Sequence, residues 1–281
     1  MKNILIVGGD MRQICCAKRL TEKYRVSVMG FDSDVMPENV KKATEGEVFS
    51  CAVLPVPPLD ENSMINTPCY SGEVSPADVE KFLVPDGEIF AGRVNSQLCE
   101  IFSGHEVLDY MAREELSLRN AVPTAEGAVQ IALEELPVTL SGLKILIAGM
   151  GRIGTALAEI LKGFGADITA AVHNARGAAK ARLIGVKYVY TKDMTSDHAL
   201  VFNTVPTMIF GREQLSRFGK DTLFIDLASK PGGIDITSAQ ELGRKVIWAL
   251  GLPGKTSPVT AGEIIAETID NMLTERGDDN V

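Results

Sequence analysis

Residues 149–154 read GMGRIG, with glycines at 149, 151 and 154. That spacing suits one task well, which is to hold a pyrophosphate. Gly149 allows a tight turn, Gly151 lets the backbone approach the phosphates, and Gly154 lets the next helix pack on the preceding strand. Met150, Arg152 and Ile153 fill the places between, and the new helix offers unpaired N–H groups and a partial positive charge. Two later segments suit the far end of a dinucleotide. In NTVP, Asn203 and Thr204 can bond a ribose or carboxamide, with Val205 and Pro206 shaping the turn. DLASKPGG carries Asp226, Ala228, Ser229 and Lys230. Lys230 suits a substrate carboxylate or a proton transfer; a surface ion pair with Asp226 is the alternative.

The nucleotide's identity turns on the strand after the glycine turn. An NAD site favours a carboxylate at that strand's end, bonded to the ribose hydroxyls. Here His173 and Asn174 stand there, with Arg176 just beyond and Lys180 and Arg182 near. A carboxylate repels a 2′-phosphate, whereas an arginine fork grips one. The expectation is NADP, the alternative being that Arg176 is solvated and stacks loosely on adenine.

The elements that position these groups alternate. ILIV, VSVM, VFSCAV and EIFA read as strands with helical patterns between them, clearest at about 11–23 and 75–83. A second series follows in KILIA, DITAAV, VKYVY, ALVFN, LFIDL and KVIWA. Helices are expected around His105–Leu118, from Pro123 with Glu126 in its first turn to a stop at Pro137, and over 260–274. The tail RGDDNV is polar and is expected to fray. The fold class is α/β: two doubly wound parallel-sheet lobes, 1–121 and 122–281, the second a Rossmann dinucleotide-binding domain whose C-terminal helix can pack back on the first lobe. Ligands of such sheets bind beyond the strands' carboxyl ends, so a cleft between the lobes is expected to gather the loops. The first lobe opens with ILIVGGDMR, an echo of ILIAGMGRI in which Asp10 takes the place of Gly151.

Composition narrows the partners. A net charge of −9 argues against nucleic acid and supplies no polybasic segment for an anionic membrane. No apolar run approaches the roughly 18–20 residues of a membrane span, and ILIV with Asp10 soon after is too short for a signal-peptide core. A cytoplasmic location is therefore expected. Cys15, Cys16, Cys51, Cys69 and Cys99 contain no C-x-x-C pair and read as reduced thiols, Cys69 alone lying in an expected loop. The few scattered histidines argue against a metal site.

ILIVGGDMR, RNAVPTAEGA, GMGRIG, DLASKPGG and ALGLPGKTSPVTAG together resemble the A-subunit family of dipicolinate synthase, over essentially the whole chain. GMGRIG is shared with many dehydrogenases; its combination with PTAEGA and LPGKTSPVTAG is more specific. The resemblance implies an enzyme of the mother-cell compartment of sporulating bacteria. It implies oxidation of dihydrodipicolinate, the product of dihydrodipicolinate synthase, to dipicolinate with hydride transfer to NADP, beside the flavoprotein-like B-subunit of dipicolinate synthase. The implied substrate is a nitrogen heterocycle bearing two carboxylates, which calls for cationic or hydroxyl clamps. Arg12, Arg93, Arg119, Lys230 and Lys255 supply the cations; Ser71, Asn95, Ser96 and Thr124 supply neutral donors. Arg93 and Asn95, in GRVNSQ after a strand, are best placed. Asp10 and Arg12 are expected to meet the substrate or one another rather than the nucleotide. The ring proton can pass to Asp226, His105, Asp10 or ordered water, and residue types do not choose among them. Two alternatives stay open: another NADP-dependent amino- or imino-acid dehydrogenase, and a non-catalytic NADP-binding component of a two-subunit complex. Association of like chains is also left open.

Overall fold

The computed structural model describes residues 2–278. They fall into two compact units, one formed by the chain up to Asn120 together with Ser257 onward, the other by Ala121–Thr256.

The first unit contains β1 (Asn3–Val7), α1 (Met11–Leu20), β2 (Arg25–Met29), β3 (Lys41–Lys42), β4 (Phe49–Val53), α2 (Pro76–Glu80), β5 (Leu83–Ala91), α3 (Ser96–Ile101) and β6 (Glu106–Asp109), and the start of α4 (Glu114–Glu135). Its strands are all parallel in the order β3-β2-β1-β4-β5-β6. β1 is central because both its faces are apolar. Ile4 and Ile6 pack towards Ile14 and Leu20 of α1, while Leu5 and Val7 pack towards Val79 and Leu98 on the other face. A strand covered on both sides reads as an unbroken apolar run, which is why ILIV is conspicuous in the sequence.

The second unit repeats the scheme with β7 (Lys144–Ala148), α5 (Arg152–Gly163), β8 (Asp167–Val172), α6 (Ala175–Leu183), β9 (Lys187–Tyr190), β10 (Leu200–Asn203), α7 (Arg212–Arg217), β11 (Leu223–Asp226), α8 (Ile236–Glu241), β12 (Lys245–Trp248) and α9 (Leu252–Thr256). Its order is β12-β11-β10-β7-β8-β9, again all parallel. Ile145 and Ile147 join Leu157 and Leu161 of α5; Leu146 and Ala148 join Phe210 and Phe224 on the opposite face. Each sheet thus changes direction of winding between two neighbouring strands, β1/β4 in one and β7/β10 in the other, and these are the places where such sheets open to ligands.

α10 (Pro258–Asp278) returns to the first unit and lies along α1, burying Ile264, Ile265, Ile269 and Met272 in the core that Ile14 and Leu20 share. The expected fraying does not hold for Arg276: it sits in the last turn of α10, and its guanidinium donates to Glu88 and Glu106. Asp279–Val281 lie outside the described residues.

Two expectations for the middle of the chain need correction. His105–Leu118 is not one helix: Glu106–Asp109 pairs with β5 as an edge strand, a 3-10 turn follows at Tyr110–Ala112, and the helix starts at Glu114. Nor does a helix begin at Pro123, which lies within α4, so Glu126 is mid-helix. Glu114 and Glu115 are the acidic first turn, well placed against the helix dipole. A proline, which usually marks a helix start, here removes one interior N–H without ending the helix.

Candidate functional site

The turn after β7 is built to leave an opening. Gly149 has φ +93°, a conformation that excludes most side chains, and a Cβ there would stand 2.5 Å from Thr204 Oγ1. A Cβ on Gly154 would stand 2.0 Å from the Gly149 carbonyl oxygen, so the helix can approach the strand only with hydrogen there. Gly151 differs: nothing lies within 4 Å of its missing Cβ. It is the N-cap of α5, with φ −81° and ψ −160°, and no side chain caps the helix. The N-terminus of α5 therefore has a bare backbone beside it and no side-chain cap. That is the shape and the donor set a diphosphate requires, so the residues present fit a dinucleotide. Gly154→Ala is expected to destabilise the protein by about 1–3 kcal/mol through overpacking against the carbonyl, read as a fall in the urea midpoint.

Around this turn the remaining residues separate into exposed and committed groups. His173, Asn174 and Arg176 are exposed at the end of β8, which carries no carboxylate. Asn174 Oδ1 accepts from Gly177 N at 3.0 Å and caps α6, so its amide nitrogen is the part left for a ligand. Among the described residues, Arg176 has no ion-pair or hydrogen-bond partner. Thr204 donates its hydroxyl proton to Ala148 O at 2.9 Å, while Val205 and Pro206 continue the turn outward. Met150 is buried beneath it.

Asn203 and Asp226 are not available in the way their residue types suggest. Asn203 is 0% exposed and Asp226 1%. Asn203 Nδ2 donates to Asp226 Oδ1 at 2.7 Å and to Val205 O, and its Oδ1 accepts from Val205 N. Asp226 also accepts from Ala228 N at 3.0 Å and Gly233 N at 2.9 Å. The pair ties the ends of β10 and β11 to the loop that follows. Asp226 is thus a strut that shapes DLASKPGG, and its oxygens are already occupied by donors, which removes it as the exposed proton acceptor. Ser229 and Lys230 project at the surface of that loop, and Lys255 is exposed on α9. Thr124 is half-buried on α4.

The first unit uses the same turn to opposite effect. Asp10 is the N-cap of α1 with φ −91° and ψ −167°, close to the backbone of Gly151, but its carboxylate accepts from Arg12 N at 3.0 Å. Arg12 then folds back so that Nε donates to Oδ1 at 2.9 Å and Nη2 to Oδ2 at 2.8 Å, with a further bond to Val56 O. Asp10 and Arg12 therefore meet one another, one of the two outcomes the sequence allowed. The adjacent Gly9 N–H is taken by Asn66 O at 2.8 Å. An internal carboxylate and an internal carbonyl occupy the donors that the second unit leaves open.

Beyond β5, Arg93 has φ +63°, a left-handed conformation rare for a side-chain-bearing residue. The Asp109 carboxylate holds it there by accepting from Arg93 N, Val94 N and Met111 N at 3.2, 3.0 and 2.8 Å. The guanidinium is exposed and has no partner among the described residues. Asn95 Oδ1 caps α3 by accepting from Leu98 N, with Ser96 exposed beside it. Ser71 bonds Asp32 through both its amide and its hydroxyl. Arg119 is paired with Glu267. His105 lies just before β6, at the amino edge of the sheet, with Nδ1 2.8 Å from Gly87 O. It is therefore at the opposite edge from Arg93, and its place as a proton acceptor is withdrawn.

Known proteins resemble this chain in both of its units. A family model for the N-terminal domain of the dipicolinate synthase A-subunit matches residues 3–111. The dipicolinate synthase A-subunit of Bacillus subtilis (strain 168) is 28% identical over 285 residues, spanning 97% of this chain and 96% of that relative. The crystal structure of the Bacillus halodurans A-subunit matches with TM-score 0.88 at 27% identity, covering 97% of each chain. That of the corresponding Bacillus subtilis protein matches with TM-score 0.88 at 27% identity, covering 99% of this chain and 97% of that one. Over nearly its whole length the chain is similar to the A-subunit of dipicolinate synthase.

A second family model, the NAD-binding domain of D-isomer specific 2-hydroxyacid dehydrogenases, matches residues 116–231. It spans the turn at Gly149–Gly154 and ends just past Lys230, so the second unit is a nicotinamide dinucleotide-binding domain of oxidoreductase type. Two residues that matter to the first unit's carboxyl edge, Asp109 and Gln13, carry no sequence signal of their own. Asp109 lies in a stretch whose periodicity imitates a helix, and Gln13 is a polar residue on an otherwise ordinary amphipathic helix. No helix is long and apolar enough to cross a membrane, and no cluster of metal-ligating side chains occurs among the described residues.

Proposed function

We propose that this chain oxidises dihydrodipicolinate to dipicolinate with NADP as hydride acceptor, beside a flavoprotein-like second subunit in the mother-cell cytoplasm of a sporulating bacterium. The observation that carries the reading is the bare turn at Gly151, where no side chain caps α5, together with an exposed Arg176 that has no partner among the described residues and no carboxylate at the end of β8. The α5 N–H groups at Arg152 and Ile153 would hold the pyrophosphate, and Arg176, with His173 and the Asn174 amide, would hold the 2′-phosphate. Thr204–Pro206 and Ala228–Ser229 would border the nicotinamide half. When bound, NADP supplies the acceptor for one hydride, and a proton leaves the ring as it becomes aromatic.

The chain's own groups bind and orient. Arg93, held by its backbone and free at its tip, is the principal carboxylate clamp, with Arg12, Lys230 and Lys255 as further cations and Ser71, Asn95, Ser96 and Thr124 as neutral donors. Arg119, paired with Glu267, and Arg12, held by Asp10 and Val56 O, are the least suited of the set. With Asp226 enclosed, His105 at the other edge and both Asp10 oxygens held by Arg12, the proton passes to water. Aromatisation supplies driving force, so positioning does most of what the protein must do.

Fresh dihydrodipicolinate, with NADP or NAD, with and without the second subunit, tests the reading when nicotinamide reduction and dipicolinate absorbance are followed together. Dipicolinate is expected with NADP; its absence under every condition overturns the assignment. Arg176→Ala is expected to raise KM for NADP by roughly 10- to 100-fold, the worth of a charge-assisted hydrogen bond, with little change for NAD. Equal losses for both nucleotides would leave NADP preference without support.

A further inference from the structure

Among the described residues, two buried side-chain polar atoms have no protein partner: Arg244 Nη1 and Gln13 Oε1. Arg244 still donates through Nε and Nη2 to the carbonyls of Leu215 and Ser216. Gln13 is different. It is 2% exposed, in the first turn of α1, and its Nε2 points at Val53 O at 3.5 Å. That carbonyl fixes which way the amide faces, because turning it over would set two oxygens against each other. Oε1 is therefore left as an acceptor with no donor, a condition that costs about 1–3 kcal/mol if nothing meets it.

The surroundings are shaped to keep Gln13 in place. A Cβ on Gly9 would stand 2.3 Å from Gln13 Cγ, so the side chain passes through space that only glycine leaves. Beside it is a cavity of ≈ 10 Å³ lined by Asp10, Arg12, Gln13, Pro55, Val56 and Ile265. Arg12 closes its rim by bonding both Asp10 and Val56 O. The cavity sits between the segments that follow β1 and β4, where this sheet reverses its winding and where such sheets receive ligands. Its size admits one water or the tip of one larger molecule.

We propose that this crevice is a binding site for a single O–H or N–H donor and that Gln13 Oε1 is its acceptor. The donor has two sources: a water held permanently, or a ring N–H or hydroxyl of the heterocyclic reactant. The second source rests on the function proposed above; the first does not. In the full-length protein, Gln13→Met removes the acceptor at similar volume. With a permanent water, the Met variant melts about 2–4 °C lower and KM for dihydrodipicolinate is unchanged. With a reactant donor, the Met variant melts at the same or a higher temperature, and KM rises about tenfold. NADPH affinity is then unchanged. A Met variant with unaltered KM and an equal or higher melting temperature overturns the proposal. A high-resolution crystal structure of the wild-type protein, with and without reactant, decides independently of how the variants fold. Density within hydrogen-bond distance of Oε1 supports the site, and its absence in both crystals overturns it. If the wild type turns over no dihydrodipicolinate, the functional reading fails while the melting and crystallographic outcomes still judge the crevice.

Discussion

Gly151→Asp is expected to lower NADP affinity by at least ~100-fold while leaving the melting temperature unchanged or slightly higher. The space beside Gly151 is open, so the new side chain meets no steric resistance. Its backbone already matches that of Asp10, which caps α1. An aspartate there would cap α5 in the same way, worth from a few tenths to about 1 kcal/mol of stability. The same carboxylate would stand where a pyrophosphate must lie. Two unit charges about 4 Å apart at an effective dielectric near 20 repel by roughly 4 kcal/mol, and ~100-fold requires only about 2.8 kcal/mol. Titration of NADPH fluorescence beside a thermal melt checks both halves. Retained affinity would show that the nucleotide lies elsewhere; a large fall in melting temperature would show that the turn has less room than its geometry indicates.

The second large effect concerns Arg93, and here loss of activity should come without loss of stability. Arg93→Gly removes the guanidinium and is expected to raise KM for dihydrodipicolinate by about 10- to 100-fold, the range for losing a hydrogen bond to a charged group. It also replaces an L side chain at φ +63° with the residue that adopts that conformation freely. Relief of left-handed strain is about 1–2 kcal/mol, and the glycine's extra freedom when unfolded returns about 0.5–1. The folded state should therefore be no less stable. Arg93→Ala keeps the strain and loses the same cation, so it should match the kinetic defect while melting lower than the glycine variant. If both variants bind the reactant normally, Arg93 is not a carboxylate clamp. If both melt well below the wild type, the left-handed turn owes its shape to the arginine side chain rather than to Asp109.

What could be read from the sequence follows how local its causes are. The central strands announce themselves because a strand buried on both faces must be apolar throughout, as in Ile4–Val7 and Ile145–Ala148. β3, only Lys41–Lys42, and β6, Glu106–Asp109, could not be seen that way: edge strands need only one covered face, and theirs carry charge. The residues after β6 complete a helical period that hides the strand, and Pro123 imitates a helix start it does not make. Around the site, glycine spacing was legible because backbone approach admits no substitute. Asp226 was misleading for the opposite reason. A buried carboxylate that braces a loop and an exposed one that takes a proton are the same letter, and only the positions of the Asn203 Nδ2 amide and of the Ala228 and Gly233 backbone N–H groups tell them apart. Asp109 and Gln13 act through contacts with residues distant in the chain, so no local pattern could have singled them out.

The path of the chain through its two units also fixes an order in time. α1 is made before the helix that covers it, α10, which follows the whole of Ala121–Thr256. Until Ile264, Ile265, Ile269 and Met272 emerge from the ribosome, Ile14 and Leu20 lack the partners that complete their core. The nucleotide-binding unit, continuous in sequence, needs nothing synthesised after it. Domains commonly fold in the order in which they are translated; here the unit that contains α1 can close only after Ala121–Thr256 has been made.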